Sequence, residues 1–539
     1  MSTETQFADQ DFHQQGPALS NTWQSDEFLQ ACLHRLLPDN VFESISIGLD
    51  SLGERAAHEM PDYAADAEQN PPVHVPFDPW GRRIDDIRVA DGWQQLHRIA
   101  AEEGIVATAY ERQHGSASRL HHFARLYLYH PSSAIYSCPL AMTDGAARII
   151  EQHGDADMKS RAFAALTNRD PERFWTSGQW MTERAGGSDV SGTATVARKD
   201  GERYRLYGTK WFTSATTSPI AFTLARVEEN GTPSEKLSLF YVETRDASGA
   251  LDNIEVHRLK DKLGTRALPT AELNLHGTRA HLVGEPGRGV ATIATLLNIT
   301  RLYNTCCAAS QMRRAVTLAT DFARKREAFG KRLIDHALHA GTLESLEAET
   351  RVATLMVLHA AQLLGREECT EASDIERKLL RLVTPMAKLY TAKQSIAVCS
   401  EALECFGGAG YVEDTGLPWL LRDAQVLSIW EGTTNVLSLD MLRAAGKDDS
   451  LPLFLEDIRG RIKAIDAEAL QGPCGQVEQW LGELGAMSQR DPERNARRIA
   501  YRAARILGAT LMAEHAAWSG KSRDIELLQG WLEAPLIGN

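Results

Sequence analysis

A block with strand patterning, residues 176–285, interrupts a chain that reads as helical on both sides, and few architectures accommodate that order. Within the block Thr193-Ala-Thr-Val-Ala-Arg-Lys199 alternates, Asp200-Gly201 turns and Tyr204-Arg-Leu-Tyr207 returns, which predicts a β-hairpin. Residues 237–242 and 271–275 are further strand candidates. Upstream, 28–170 reads as mainly helical, broken by loops such as the Pro-rich stretch 70–81. Downstream, Thr384-Pro385 predicts a helix start, with Thr as N-cap and Pro in the first turn, and Gly407-Gly408 predicts its stop. A last helical block follows Gly446-Lys-Asp-Asp-Ser. Helices and strands are segregated, so the fold class is α+β. The expected divisions are an N-terminal arm 1–40, an N-terminal α-helical domain 41–175, a β domain 176–287, a C-terminal α-helical bundle 288–446 and an additional helical domain 447–539.

Composition narrows the function classes. A chain of 539 residues that is 43% hydrophobic can bury more than one core. A formal net charge of −14 argues against a general polyanion binder. The eight cysteines include no Cys-x-x-Cys pair, so reduced thiols are expected and no metal site is. The N-terminus is polar and acidic, with no apolar stretch of a secretory signal. No run approaches the ~20 apolar residues of a membrane span. A soluble, cytoplasmic protein is therefore expected.

The segment most suggestive of chemistry is Ser428-Ile429-Trp430-Glu431-Gly432-Thr433-Thr434-Asn435. A carboxylate wedged between an aromatic ring and a glycine turn is poorly solvated, which raises its basicity. That suits proton abstraction beside a carbonyl. The alternative is a helix cap or a partly exposed charge.

With these segments in order, the chain resembles the acyl-CoA dehydrogenase family over about residues 80–445. It is similar in particular to the AidB-type branch, through Gly81-Arg-Arg-Ile-Asp-Asp86, Cys138-Pro-Leu-Ala-Met-Thr143 and Ile429-Trp-Glu-Gly-Thr-Thr-Asn-Val436. The resemblance implies an acyl-CoA dehydrogenase-like fold: an N-terminal helical domain, a middle antiparallel β-barrel domain, a C-terminal helical bundle and an extra C-terminal helical domain. It also implies FAD at their junction, shared with a neighbouring subunit, usually in a homotetramer.

Met181-Thr182-Glu183-Arg184-Ala185-Gly186-Gly187-Ser188-Asp189 matches the family's flavin segment. By resemblance Met181 and Thr182 bind the flavin pyrimidine edge, and Ser188 contacts cofactor and the CoA thioester arm. A plain turn is the local alternative for the glycines. Lys210-Trp211-Phe212-Thr213-Ser214 matches the strand crossing the flavin, with Trp211 packed on the ring and Thr213 near N5; a core aromatic is the alternative. Arg326-Glu327-Ala328-Phe329-Gly330 matches the Arg-x-x-Phe-Gly whose Arg326 reaches the flavin pyrophosphate of the adjacent subunit, with Phe329 beside it. Phe406-Gly407-Gly408 matches a second cofactor-contacting loop, and a glycine helix stop fits it equally. Thr433 and Asn435 are implied to touch the diphosphate or ribityl region, and Arg301 and Gly432 the substrate.

Glu431 aligns with the catalytic base. The implied reaction removes the pro-R α-proton and transfers a β-hydride to flavin N5, giving a trans-2-enoyl-CoA. Electron-transferring flavoprotein is the implied acceptor. Three positions depart from the family pattern: Asn298 where an acid precedes Arg301, Arg184 where Pro is frequent, and the second Thr after Gly432. They keep an alternative open, an AidB-like flavoprotein with little dehydrogenase activity that binds duplex DNA or sequesters acyl-CoA. Arg494, Arg498, Arg502 and Arg505 fall on one side of a predicted helix and suit either phosphates or a solvated face. Yet 447–539 holds 12 Lys/Arg against 14 Asp/Glu. Nitroalkane oxidation on the same fold is disfavoured because that relative uses Asp as base.

Overall fold

The computed structural model describes residues 13–447, 449–489 and 491–534. Helices of the first third, including Asp39–His58, Ser118–Tyr129 and Ser137–His153, lead into a β domain, and three long helices follow: Gly289–Lys325, Ala337–Glu368 and Asp374–Cys405. Four further helices, Ser450–Lys463, Gln471–Ser488, Pro492–Ser519 and Ser522–Glu533, complete the described chain. One apolar cluster runs from Trp23 through the bundle to Trp531, so the C-terminal helices share the bundle's core. Polar links reinforce that junction: Trp531 Nε1 donates to Glu349 Oε2 at 2.7 Å and Arg351 pairs with Asp524 at 2.6 Å. At the other end, buried Arg119 joins Asp144 and Glu368, both at 2.6 Å, tying the N-terminal helices to the second long helix.

The β domain closes on itself. Strands Ile220–Glu229, Val196–Asp200, Arg203–Ser214, Thr270–Val283 and Thr232–Glu243 pair in that order, and the last pairs back with the first. Most pairings are antiparallel, including the expected hairpin through Asp200-Gly201, where Val196 faces Tyr207. Two are parallel: Ser177–Trp180 and Val196–Asp200 each run alongside Ile220–Glu229. Strand Ser177–Trp180 enters from the helical domain, and its direction is set by that crossing.

Three expectations are corrected. Residues 1–40 do not form an arm throughout: residues 1–12 lie outside the described residues, but Glu27–Leu36 is a helix that buries Phe28, Leu29, Cys32 and Leu33. Its partner is the helix Pro492–Ser519, whose His515 ring lies 4.8 Å from Phe28. The Pro-rich stretch 70–81 contributes to a hairpin, Val73–Phe77 with Arg83–Arg88, and Arg83 Nη2 anchors it by donating to Val256 O at 2.8 Å. Third, Pro385 lies inside the helix Asp374–Cys405. Leu379, Leu380, Leu382 and Val383 continue the buried face upstream of it, and Thr384 Oγ1 donates to Leu380 O at 2.8 Å rather than capping.

The actual cap is a reciprocal capping box: Ser373 Oγ accepts from Glu376 N, and Glu376 Oε2 accepts from Ser373 N at 2.7 Å. Ser373→Ala is expected to cost about 1 kcal/mol, read as a lower denaturant midpoint with an unchanged slope. The arginine stripe also divides. Arg494 and Arg498 are exposed and Arg502 pairs with Glu483 at 3.3 Å. Arg505 is buried, its guanidinium 4.5 Å from the Trp531 ring centre and 5.0 Å from that of Trp480. No described helix is long and apolar enough to cross a membrane.

Candidate active site

Between the helices Pro418–Leu427 and Thr434–Lys447 the chain makes a tight turn. Glu431 adopts φ +56° and Gly432 φ +109°. A Cβ on Gly432 would meet Leu437 Cδ2 at 2.9 Å, so glycine is required there. A non-glycine residue in the left-handed region is strained, and such strain persists only when the surroundings enforce it. Here two cations enforce it: Arg301 Nε donates to Glu431 O at 3.1 Å and Lys388 Nζ to Gly432 O at 2.8 Å.

The Glu431 carboxylate points inward. Gln179 Nε2 lies 3.4 Å from Oε1, while Oε2 is buried with no hydrogen-bond partner among the described residues. Burial pushes the Glu431 carboxyl above its usual range, opposed by the Thr300 hydroxyl, Arg301, Lys388 and Gln179. Burial also draws the Lys388 ammonium down to about 7. An under-solvated carboxylate with a free oxygen is equipped to take a proton.

Gln179 lies on Ser177–Trp180, which runs directly into Met181 and Thr182. Thr182 O accepts from Trp211 N at 2.9 Å, so the flavin-segment match, the 210–214 match and Glu431 converge on one face. Trp211 and Phe212 occupy a bulge: Lys210 faces Leu273 and Thr213 faces Ala271, leaving one extra residue on this strand. The bulge keeps the Trp211 ring half-exposed and Phe212 exposed, where strict alternation would bury one. Lys260 Nζ stands 4.0 Å from the Trp211 ring centre and the Arg184 guanidinium 5.3 Å from it. Thr213 is buried and its hydroxyl donates to Ala271 O at 2.8 Å. Ser188, Thr433 and Asn435 are exposed.

Arg301, expected at the substrate, is engaged by the protein itself: besides Glu431 O it pairs with Asp440 at 2.9 Å. The other matched residues lie elsewhere. Arg326 caps the C-terminal end of the helix Gly289–Lys325, 25 residues beyond Arg301 within it, which is ~37 Å along the axis. Phe406 is buried against Phe322 at 5.2 Å, placing Gly407-Gly408 at that same far end. There Phe329 is 97% exposed, and a Cβ on Gly407 or Gly408 would meet nothing within 4 Å.

Sequence reasoning missed Gln179, Thr300 and Lys388 at the site, and the buried Lys210–Glu183 pair beneath it. Only Lys388 carried a signal, a lysine within the buried stripe Thr384, Ala387, Thr391 and Ser395.

Comparison with known proteins agrees with this architecture. Residues 15–171 match the adaptive response protein AidB N-terminal domain, 178–278 the acyl-CoA dehydrogenase middle domain, 287–446 the acyl-CoA dehydrogenase C-terminal domain and 449–538 the acyl-CoA dehydrogenase 11 C-terminal domain-like model. Acyl-CoA dehydrogenase family member 11 of Caenorhabditis elegans is 42% identical, over 98% of this chain and 90% of that protein. The putative acyl-CoA dehydrogenase AidB of Escherichia coli K12 is 32% identical over 78% of each. The crystal structure of C. elegans ACDH-11 in complex with C11-CoA superposes with a TM-score of 0.95 at 42% identity, covering 98% of this chain and 94% of that one. Four domain matches in order, and a relative aligned over nearly the whole length, establish that the chain belongs to the acyl-CoA dehydrogenase family, in its AidB-type branch.

Proposed function

We propose that the protein is an FAD-dependent acyl-CoA dehydrogenase that oxidises an acyl-CoA to the trans-2-enoyl-CoA, with Glu431 as the base. The observation that carries this reading is the Glu431 carboxyl, raised in pKa, with Oε2 buried and unpartnered among the described residues and Oε1 facing Gln179 on the strand leading into Met181-Thr182. Oε2 accepts the pro-R α-proton of the thioester, and Gln179 fixes the carboxylate's orientation through Oε1. FAD, when bound, supplies the hydride acceptor for Cβ, so the two C–H bonds broken yield one C=C bond and a reduced cofactor.

The residues present suit that cofactor. Trp211 offers a half-exposed indole for stacking, and Met181 and Thr182 supply backbone beside it. Ser188, Thr433 and Asn435 are exposed, and Thr213 braces the strand behind Trp211. The ~37 Å separating Arg301 from Arg326 along their helix supports a divided site. Arg326, Phe329, Phe406, Gly407 and Gly408 then serve the flavin of a second copy, as a homotetramer permits. Gly432 and Ser188 border the thioester, while Arg301 acts on substrate through the Glu431 backbone. The C11-CoA complex of the worm relative supports an acyl-CoA as substrate. Electron-transferring flavoprotein as the acceptor and a cytoplasmic location complete the reading.

Anaerobic titration of the flavin-loaded protein with acyl-CoAs of graded length tests it. Bleaching of the oxidised flavin band by one length class is expected. A loaded protein that no acyl-CoA bleaches would overturn the dehydrogenase reading.

A further inference from the structure

Lys388 is fully buried. Among the described residues no carboxylate oxygen lies within 4.0 Å of its Nζ, and its hydrogen bond goes to Gly432 O at 2.8 Å. An ammonium carries three donors, and burying it away from an ion-pair partner is costly. The charged groups facing it come from three elements besides its own. Glu431 lies on the turn; Arg301, from the helix Gly289–Lys325, repels it; and Asp440, from the helix Thr434–Lys447, neutralises Arg301 at 2.9 Å. On its own helix, Arg381 is also spent on Asp440, at 2.6 Å. Glu431 is therefore the carboxylate left for Lys388 to act on. Consecutive carbonyls, Glu431 O and Gly432 O, are each gripped by a cation, and these grips fall on strained Glu431 and the glycine that follows it.

We propose that Lys388 is a positioning residue for the Glu431 base: through Gly432 O it locks the left-handed turn that presents the carboxylate, and its charge holds that carboxylate in the ionised form that takes the α-proton. The proposal rests on Glu431 being the base. The sign follows from the charges. A cation nearby favours the carboxylate, so removing it raises the pH at which Glu431 ionises. Because burial leaves the Lys388 amine titrating at about 7, it is predominantly charged below that pH, so its effect on Glu431 is read on the acidic limb.

The test compares flavin-loaded wild type, Lys388→Met, Lys388→Arg and Glu431→Gln by the pH dependence of the bleaching rate with a long-chain acyl-CoA. The protonated-carboxyl infrared band of Glu431, identified by its loss in Glu431→Gln, reports ionisation independently of turnover. In Lys388→Met the acidic limb and the infrared titration are expected to move up together by about one unit, a roughly tenfold loss below the limb. The alkaline plateau is expected to change much less, and Lys388→Arg to keep the limb near its wild-type position. An unmoved limb and infrared titration in Lys388→Met would overturn the proposal while leaving Glu431 as base. Retained bleaching in Glu431→Gln would remove the base assignment itself. If Lys388→Met does not fold, Lys388→Gln, smaller and neutral, decides the same question.

Discussion

Glu431→Gln is expected to bind flavin and acyl-CoA and yet to lose substrate-driven bleaching by at least ~10²–10⁴-fold, the range typical of a removed general base. The substitution keeps size and shape, so the turn at φ +56°, gripped through the backbone by Arg301 and Lys388, has no reason to change. Stability is expected to hold or rise slightly. Burial already disfavours the charged carboxyl, and the relief a neutral amide brings offsets the loss of the counter-charge to Lys388 and Arg301. What disappears is the acceptor: Oε2, buried and unpartnered among the described residues, becomes part of an amide with no affinity for a proton at neutral pH. Stopped-flow bleaching under anaerobic conditions measures the step directly, and a thermal melt confirms the fold. Glu431→Asp offers the graded control, since it keeps the carboxylate but withdraws it by one methylene, and partial activity is expected. Bleaching at near wild-type rate in Glu431→Gln would show that another group takes the proton.

What was legible in the sequence was local. The hairpin through Asp200-Gly201 formed where alternation and turn chemistry coincided. The Trp-Glu-Gly-Thr run announced a poorly solvated carboxylate, and the structure shows why it is one. The misreadings came from partners distant along the chain. Glu27–Leu36 falls where the predicted arm 1–40 overlaps the stretch that reads as helical, and what decides between them, packing of its apolar face against His515 and its neighbours, lies hundreds of residues later. Thr384-Pro385 resembled a helix start by local rules, but a buried stripe continuing through Leu379–Val383 outweighed the lost backbone bond. The same limit hid the supporting residues of the site. Gln179 meets Glu431 across 252 positions and Lys388 meets Gly432 across 44. The bulge exposing Trp211 and Phe212 depends on the register with the strand Thr270–Val283, which residue spacing within one strand does not encode.

The second large effect is expected from a pair beneath the proposed cofactor face. Lys210 is fully buried, and its Nζ meets Glu183 Oε1 at 2.7 Å and Leu224 O at 3.1 Å. Glu183 also accepts from Ala194 N at 2.6 Å and from Thr195 Oγ1 at 2.5 Å, so one carboxylate fastens the Met181–Gly187 segment to the strand Arg203–Ser214 and to the loop entering Val196–Asp200. Burial pushes the Glu183 carboxyl up, but the Lys210 ammonium and these bonds bring it below its usual range. Lys210 in turn is drawn down by burial, which Glu183 offsets only in part. The intact pair is therefore close to balanced, whereas half of it is not. Lys210→Met is expected to destabilise the fold by about 3–5 kcal/mol, because it strands a buried carboxylate. Loss of flavin on gel filtration should accompany it, as the segment carrying Thr182 loses its anchor. Adding Glu183→Gln to Lys210→Met is expected to recover a substantial share, since the amide oxygen, placed where Oε2 was, still accepts from Ala194 N, the amide nitrogen donates to the Thr195 hydroxyl, and no charge is buried. The pH dependence gives an independent sign. With Lys210 gone, the folded-state carboxyl of Glu183 titrates above its unfolded value, so the folded variant binds the extra proton and gains stability as pH falls. In the wild type the depressed carboxyl does the reverse, contributing stability above the ordinary carboxylate range that is lost on acidification. Denaturation midpoints for the two proteins should thus converge toward acid pH. A constant gap across pH, or a double variant no more stable than Lys210→Met, would mean that lost packing of the lysine stem, and not the stranded charge, causes the destabilisation.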